Sequence, residues 1–203
     1  MAQERAFDRL VNFSDAVVAI AATLLILPLV DKAAAIGQTP VPEFLAQNTL
    51  SFVVFVLSFV VIGRFWLSHH RFFDHLKSFT PGLLIFNLLW LLGIVFLPFP
   101  TELIVSGQKV TSAAAEVYLG TMAFIALSSL GMAIVVRRNN AIVHDAKGAN
   151  KNFYLALITS IVMVVALLIS LAWPMVGLWS LWLLLLTPIA SRIIDRRYAQ
   201  SVR

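Results

Sequence analysis

The sequence predicts an all-α membrane protein, a single domain (1–203) of six transmembrane helices. Three observations predict it. Of 203 residues, 60% are hydrophobic and only 12% charged, with a mean hydropathy of +0.91. The apolar residues fall in long unbroken runs, and the basic residues gather in alternate connections. A water-soluble domain carries ~25% charged and ~45–50% apolar residues, and a chain of this size has too much surface to clothe with so few charges. Soluble enzyme, disordered regulator and free nucleic-acid-binding domain are thereby excluded. A membrane barrel needs alternating strands of ~10 residues, which are absent. There is no cysteine, hence no disulfide framework and no thiolate metal or redox site.

A helix crossing ~30 Å of hydrocarbon needs ~20 residues. Six segments qualify: about 11–30, 45–66, 81–100, 113–136, 152–173 and 175–191. Only the stretch Trp173-Pro-Met-Val-Gly177 divides the last two, and its proline makes them a tight hairpin. The connections sort by charge. The N-terminus (Arg5, Arg9), the second-to-third connection (Arg64, Arg71, Lys77), the fourth-to-fifth (Arg137, Arg138, Lys147, Lys151) and the tail (Arg192, Arg196, Arg197, Arg203) hold 13 of the 15 basic residues. Lys32 and Lys109 are the other two. The positive-inside rule puts both termini in the cytoplasm, and the alternation supports the count of six. Segments 31–44 and 101–112 become short external loops. Glu4, Asp8 and Asp15 argue against reading the first span as a cleaved signal peptide, despite Ala33–Ala35 behind it.

The first span carries the unusual chemistry. Asp15, beside Ser14, lies one turn inside an apolar helix, where a carboxylate is expensive unless paired. With Asp15 at 0° and about 100° per residue, Ile20, Leu24 and Leu27 fall at ~140°, ~180° and ~120°. A polar face (Arg9, Ser14, Asp15) therefore stands nearly opposite an aliphatic stripe, which Phe13, Ala16 and Val17 extend and Thr23 flanks. Such a stripe serves either helix packing or the lining of a pore. On the second span Trp66 suits the membrane interface, and His69, His70 and Arg71 are partners for a buried carboxylate. His70, Asp74 and His75 read as a solvated rim rather than a metal site. Asn87, in the apolar third span, needs partners for its amide, and the Ser14/Asp15 face offers them. Pro98 and Pro100 break that span near the outer surface. The sequence has no carbonyl-filter signature, P-loop, metalloprotease motif or nucleophile elbow. It predicts no enzyme, no cofactor, no metal and no nucleic-acid partner.

These residues resemble a known family. Arg9-x-x-x-Phe13-Ser14-Asp15, followed by Ile20-Ala-Ala-Thr23-Leu24-Leu25-Ile26-Leu27-Pro28, is similar to the first helix of the transmembrane-protein-175 family of potassium channels. Trp66-x-x-His69-x-Arg71-x-Phe73 and Asn87 with Phe96-Leu97-Pro98 extend the likeness over two further spans. The second half of the chain matches only in hydropathy. The resemblance implies a single-repeat prokaryotic member in the cell membrane, a homotetramer whose first helices line a central pore. It implies a potassium-favouring cation channel that passes other monovalent cations more weakly, with proton leak through the same pore left open. Ile20, Leu24 and Leu27 would form the hydrophobic constriction and gate, with Thr23 contributing to selectivity. Arg9, Phe13, Ser14, Asp15, His69 and Asn87 would be the structural polar network. The competing expectation is a proton-coupled secondary transporter with Asp15 and His69 as its relay. A third is a scaffold in which the stripe is plain packing.

Overall fold

The computed structural model describes residues 2–106 and 112–173. The sixth span expected at 175–191, Lys109 and the basic tail lie outside them. The described chain is all-helical. Its long helices are α1 (Ala2–Leu24), α4 (Thr49–Phe73), α5 (Pro81–Phe96), α7 (Ser112–Arg138) and α8 (Ala146–Ala172). Three short ones sit between them: α2 (Leu27–Ala34), α3 (Val41–Gln47) and α6 (Pro98–Val105). Counting α1 with α2 and α5 with α6, five segments among the described residues are long and apolar enough to cross a membrane.

Proline positions explain the breaks. Pro28 has no N–H for the carbonyl of Leu24, so α1 stops there. The chain tightens through Ile26 N–H to the Thr23 carbonyl (3.3 Å) and restarts as α2 with Leu29 N–H on the Ile26 carbonyl (3.0 Å). The first span is therefore not the continuous helix that the wheel assumed. Leu27 begins a new segment, so its wheel angle does not hold, whereas those of Ile20 and Leu24 do. Pro98 and Pro100 divide α5 from α6 in the same way. Pro81 stands at the start of α5, where it is harmless, behind the Thr80 cap that accepts from Leu83 N–H. The stretch read as an external loop, 31–44, contains the end of α2 and the start of α3.

α7 is the central helix. Of its most apolar window 61% is buried, against 22% for α8, whose outward face is left apolar. It packs chiefly on α8 and α5, while α1 lies against α5 and α4. Small residues let the helices close up, as they do in membranes. A methyl on Gly131 would fall into the Phe86 ring, and one on Gly93 would meet Ile125. Gly131→Ala is expected to destabilise by about 1–3 kcal/mol through overpacking, read as a lower thermal midpoint in detergent.

At one end of the bundle, which carries Arg71, Lys77, Arg137 and Arg138, two connections are clasped together. Leu76 and Val143 form an isolated antiparallel bridge. Lys77 N–H donates to the Ile142 carbonyl (3.0 Å), and His144 N–H to the His75 carbonyl (3.1 Å). His75 Nδ1 stands 3.1 Å from Asp145 Oδ2. Asp145 also caps α8, accepting from the N–H groups of Lys147 and Gly148. A side chain at Gly148 would strike both Asp145 and His75. The Gly148 N–H, then the His75 ring and Lys147 N–H, hold the Asp145 carboxyl below the usual carboxylate range. Its stabilising contribution is thus fully present above the ordinary carboxylate pKa and lost as pH falls through the lowered one. Asp145→Ala should cost about 1 kcal/mol at neutral pH, mostly the lost cap. The difference in thermal midpoint from the unaltered protein should narrow in acid.

Candidate functional site

The site begins with the two faces of α1. Leu10, Ser14, Val18, Ala21 and Leu25 are buried, followed by Leu29 on α2. Their spacing of three and four makes one continuous face against α4 and α5. The other face is bare. Ile20 is 61% exposed, Leu24 39% and Leu27 49%. Thr23 and Phe13 are exposed as well. No described part of the chain covers this row of aliphatic side chains.

A chain of hydrogen bonds holds the buried face in register. Ser14 Oγ–H donates to the Leu10 carbonyl (2.9 Å). Its only proton is used, so Ser14 Oγ can only accept from Asn87 Nδ2 (3.0 Å). That fixes the amide, leaving Asn87 Oδ1 toward His69 Nε2 at 2.7 Å, and His69 must carry its proton on Nε2 to donate. All three side chains are buried. The His69 ring stacks on Trp90 with centroids 4.1 Å apart, and Phe73 lies at 4.5 Å. One polar line therefore joins α1, α5 and α4, each of its three side chains bonded to the next. An unmatched polar group would be costly away from water.

Asp15 has a separate arrangement. Trp66 Nε1–H donates to its Oδ1 at 2.8 Å. His70 Nδ1 lies 3.9 Å from Oδ2, too far for a hydrogen bond but close enough to attract when protonated. Val18, Ala19, Ala22, Phe59, Ile62 and Gly63 complete an apolar groove running from Asp15 and Trp66. Sequence reasoning grouped Asp15 with His69, but the structure separates them: Asn87 takes His69, and Trp66 takes Asp15. Arg9 and Phe13 are exposed and join neither arrangement among the described residues. Trp66, Trp90 and Leu10 were not picked out for these roles. The available signal was the spacing of Trp66 and His70, one turn apart on α4 and so both able to face Asp15.

Thr23 Oγ1–H donates to the Ile20 carbonyl (2.7 Å). Its proton is spent on the backbone, and the oxygen lone pairs remain on the exposed side. On the far side of the bundle, Lys32 Nζ bonds Ser51 Oγ (2.6 Å) and the Val105 carbonyl (3.2 Å), tying α2 to α4 and α6. Among the described residues no group of three His, Cys, Asp or Glu has the geometry to hold a metal.

Comparison with known proteins gives this arrangement a setting. Residues 9–98 match the sequence model of the family described as endosomal/lysosomal potassium channel TMEM175. A potassium channel of Streptomyces collinus is 36% identical over 124 residues, covering 59% of each chain. A zebrafish (Danio rerio) protein, the endosomal/lysosomal proton channel TMEM175, is 28% identical over 95 residues, which are 47% of this chain and 18% of that one. The alignment thus spans about three fifths of the bacterial relative. A crystal structure described as a lysosomal potassium-selective channel TMEM175 homolog from Chamaesiphon minutus superposes with a TM-score of 0.68. That superposition covers 96% of this chain and 98% of that one, at 24% identity, and speaks to the fold alone. The chain is a membrane protein with the helical fold of that channel. Residues 9–98, which hold the exposed stripe and its buried anchor, are the part of the chain that is similar to the TMEM175 family.

Proposed function

We propose that this chain is a potassium-favouring cation channel, formed by four copies around the uncovered face of α1. One observation carries the reading: an aliphatic row is left bare opposite a face tied to its neighbours by the Ser14–Asn87–His69 hydrogen bonds. Packing alone does not need one face fixed so firmly while the other stays empty. Ile20, Leu24 and Leu27 of four subunits would then form the narrowest part of the path.

Selection in such a path follows from the cost of dehydration. Aliphatic side chains offer an ion no oxygen ligands, so it sheds water or waits until the constriction wets. Potassium holds its shell less tightly than sodium and passes more readily. The free lone pairs of Thr23 replace part of the lost shell. No carbonyl filter is involved, and discrimination is correspondingly modest. The same constriction closes the path when it dries. Ser14, Asn87 and His69 set the rotation of α1 about its axis, and Asp15 with Trp66 fixes its height against α4. Neither group touches the ion. The protein sits in the plasma membrane of a prokaryote, with the basic end of the bundle in the cytoplasm.

The proton-coupled transporter reading is not favoured, because its relay is missing. The His69 proton is committed to Asn87, and Asp15 is bonded to Trp66. The test is flux through purified protein in liposomes, with the oligomer counted in parallel. A tetramer passing potassium faster than sodium, without saturating gradient-coupled uptake, is the expected result. A dimer or monomer, or uptake that needs a proton gradient, overturns it. A proton-only leak, suggested by the name of the zebrafish relative, would overturn the potassium assignment while keeping the pore.

A further inference from the structure

A second feature lies at the basic end of the bundle, outside the proposed ion path. Between the last turn of α7, the connection after it and the first turns of α8 is a cavity of about 330 Å³. Its walls are Val136, Arg137, Val143, Ala146, Ala149 and Asn150. We propose that this cavity binds the phosphate of an anionic phospholipid headgroup.

The lining is divided as such a ligand requires. Val136, Val143, Ala146 and Ala149 make an aliphatic wall, and Arg137 and Asn150 supply N–H donors. The Arg137 guanidinium carbon lies over the Phe153 ring, 4.4 Å from its centroid. This cation–π contact uses none of the N–H groups as hydrogen-bond donors, so they can still meet a planar pair of oxygens. The Asn150 side chain is exposed, and its amide has no hydrogen-bond partner among the described residues. Arg138 and Lys147, both exposed, add positive charge around the mouth. Asp145, next to Ala146 in the lining, remains a carboxylate, and the Lys147 and Gly148 N–H groups and His75 offset part of its charge. The volume holds about ten waters, enough for a phosphodiester with its glycerol.

Location selects the source of the phosphate. The cavity sits where two apolar helices end, at the boundary between hydrocarbon and water, on the end that the charge rule turns toward the anionic cytoplasmic leaflet. A lipid there presents its phosphate at the height of Arg137 and its glycerol to the aliphatic wall. A free phosphate would gain nothing from that wall.

The proposal is tested by binding, independently of ion flux. The full chain, purified in a neutral detergent, is titrated with short-chain phosphatidylglycerol, with phosphatidylcholine of the same chain length, and with inorganic phosphate. Thermal midpoint and lipid retention in native mass spectra are the readouts. Phosphatidylglycerol is expected to be retained and to raise the midpoint; phosphatidylcholine is not. Arg137→Gln should weaken apparent affinity about tenfold or more. Ala149→Leu, which fills the cavity and leaves every charge in place, should do the same, and it decides the matter alone if Arg137→Gln does not fold. Equal response to the two lipids overturns the proposal. So does a phosphatidylglycerol effect that survives Ala149→Leu, which would mean diffuse surface charge. Inorganic phosphate acting as strongly as the lipid would assign the cavity to a free anion and overturn the lipid.

Discussion

Asn87→Leu should remove most of the folded protein from the membrane fraction. Leucine fits the volume but makes no hydrogen bonds. It strands the enclosed His69 N–H and takes the donor from the Ser14 oxygen, whose own proton stays on the Leu10 carbonyl. A stranded buried group costs about 1–3 kcal/mol, and a typical domain has only about 5–15 kcal/mol to lose. Size-exclusion profiles after detergent extraction should show loss of the native peak, and surviving material should melt well below the unaltered protein. His69→Ala should be as severe, since it also removes the ring stacked on Trp90. An Asn87→Leu protein with unchanged yield and midpoint would mean that the polar line does not hold α1 in place.

Ile20→Asn should act on conduction and leave assembly intact. Ile20 touches little of its own chain, so a polar replacement strands nothing. Four amides at the constriction would keep it wet and offer oxygens to a passing ion. The barrier to entry falls, and each 1.4 kcal/mol removed raises flux about tenfold. Liposome flux should rise by at least that factor, and the preference for potassium over sodium should shrink because dehydration no longer decides passage. Leu24→Asn should behave alike. Unchanged flux and preference in an assembled Ile20→Asn protein would remove the constriction from α1.

Much of this architecture was legible in the residues. The apolar runs coincide largely with helices, because lipid tolerates no polar run of useful length, but the helix ends differ from the estimated bounds by up to about nine residues, as at Ala2 and Phe73. Ser14 and Asn87 were legible as a pair because each is a hydrogen-bonding group that an apolar helix must satisfy elsewhere. The partner of Asp15 was not. Histidine and arginine are the obvious neighbours for a carboxylate, while the indole N–H of Trp66 is a single neutral donor that interface preference already seemed to explain. The split of the first span was missed for a related reason. Pro28 was visible, but a predominantly apolar stretch of span length suggests one rod, and the tightened turn at Thr23–Ile26 depends on backbone geometry that composition does not carry. The basic-end clasp was invisible, since the bridge between Leu76 and Val143 joins residues far apart in sequence through main-chain atoms.

The interruption at Pro28 changes what the row of aliphatic side chains can do. Ile20 and Leu24 ride on a segment bolted to its neighbours by Asn87 and Trp66. Leu27 rides on a short segment fastened at the opposite end by Lys32, through Ser51 and the Val105 carbonyl. In the proposed channel the bottleneck would thus be divided between two segments with separate anchors. Its outer lip would then take its position from Lys32 and its inner lip from Asn87 and Trp66, so that the two could be perturbed one at a time.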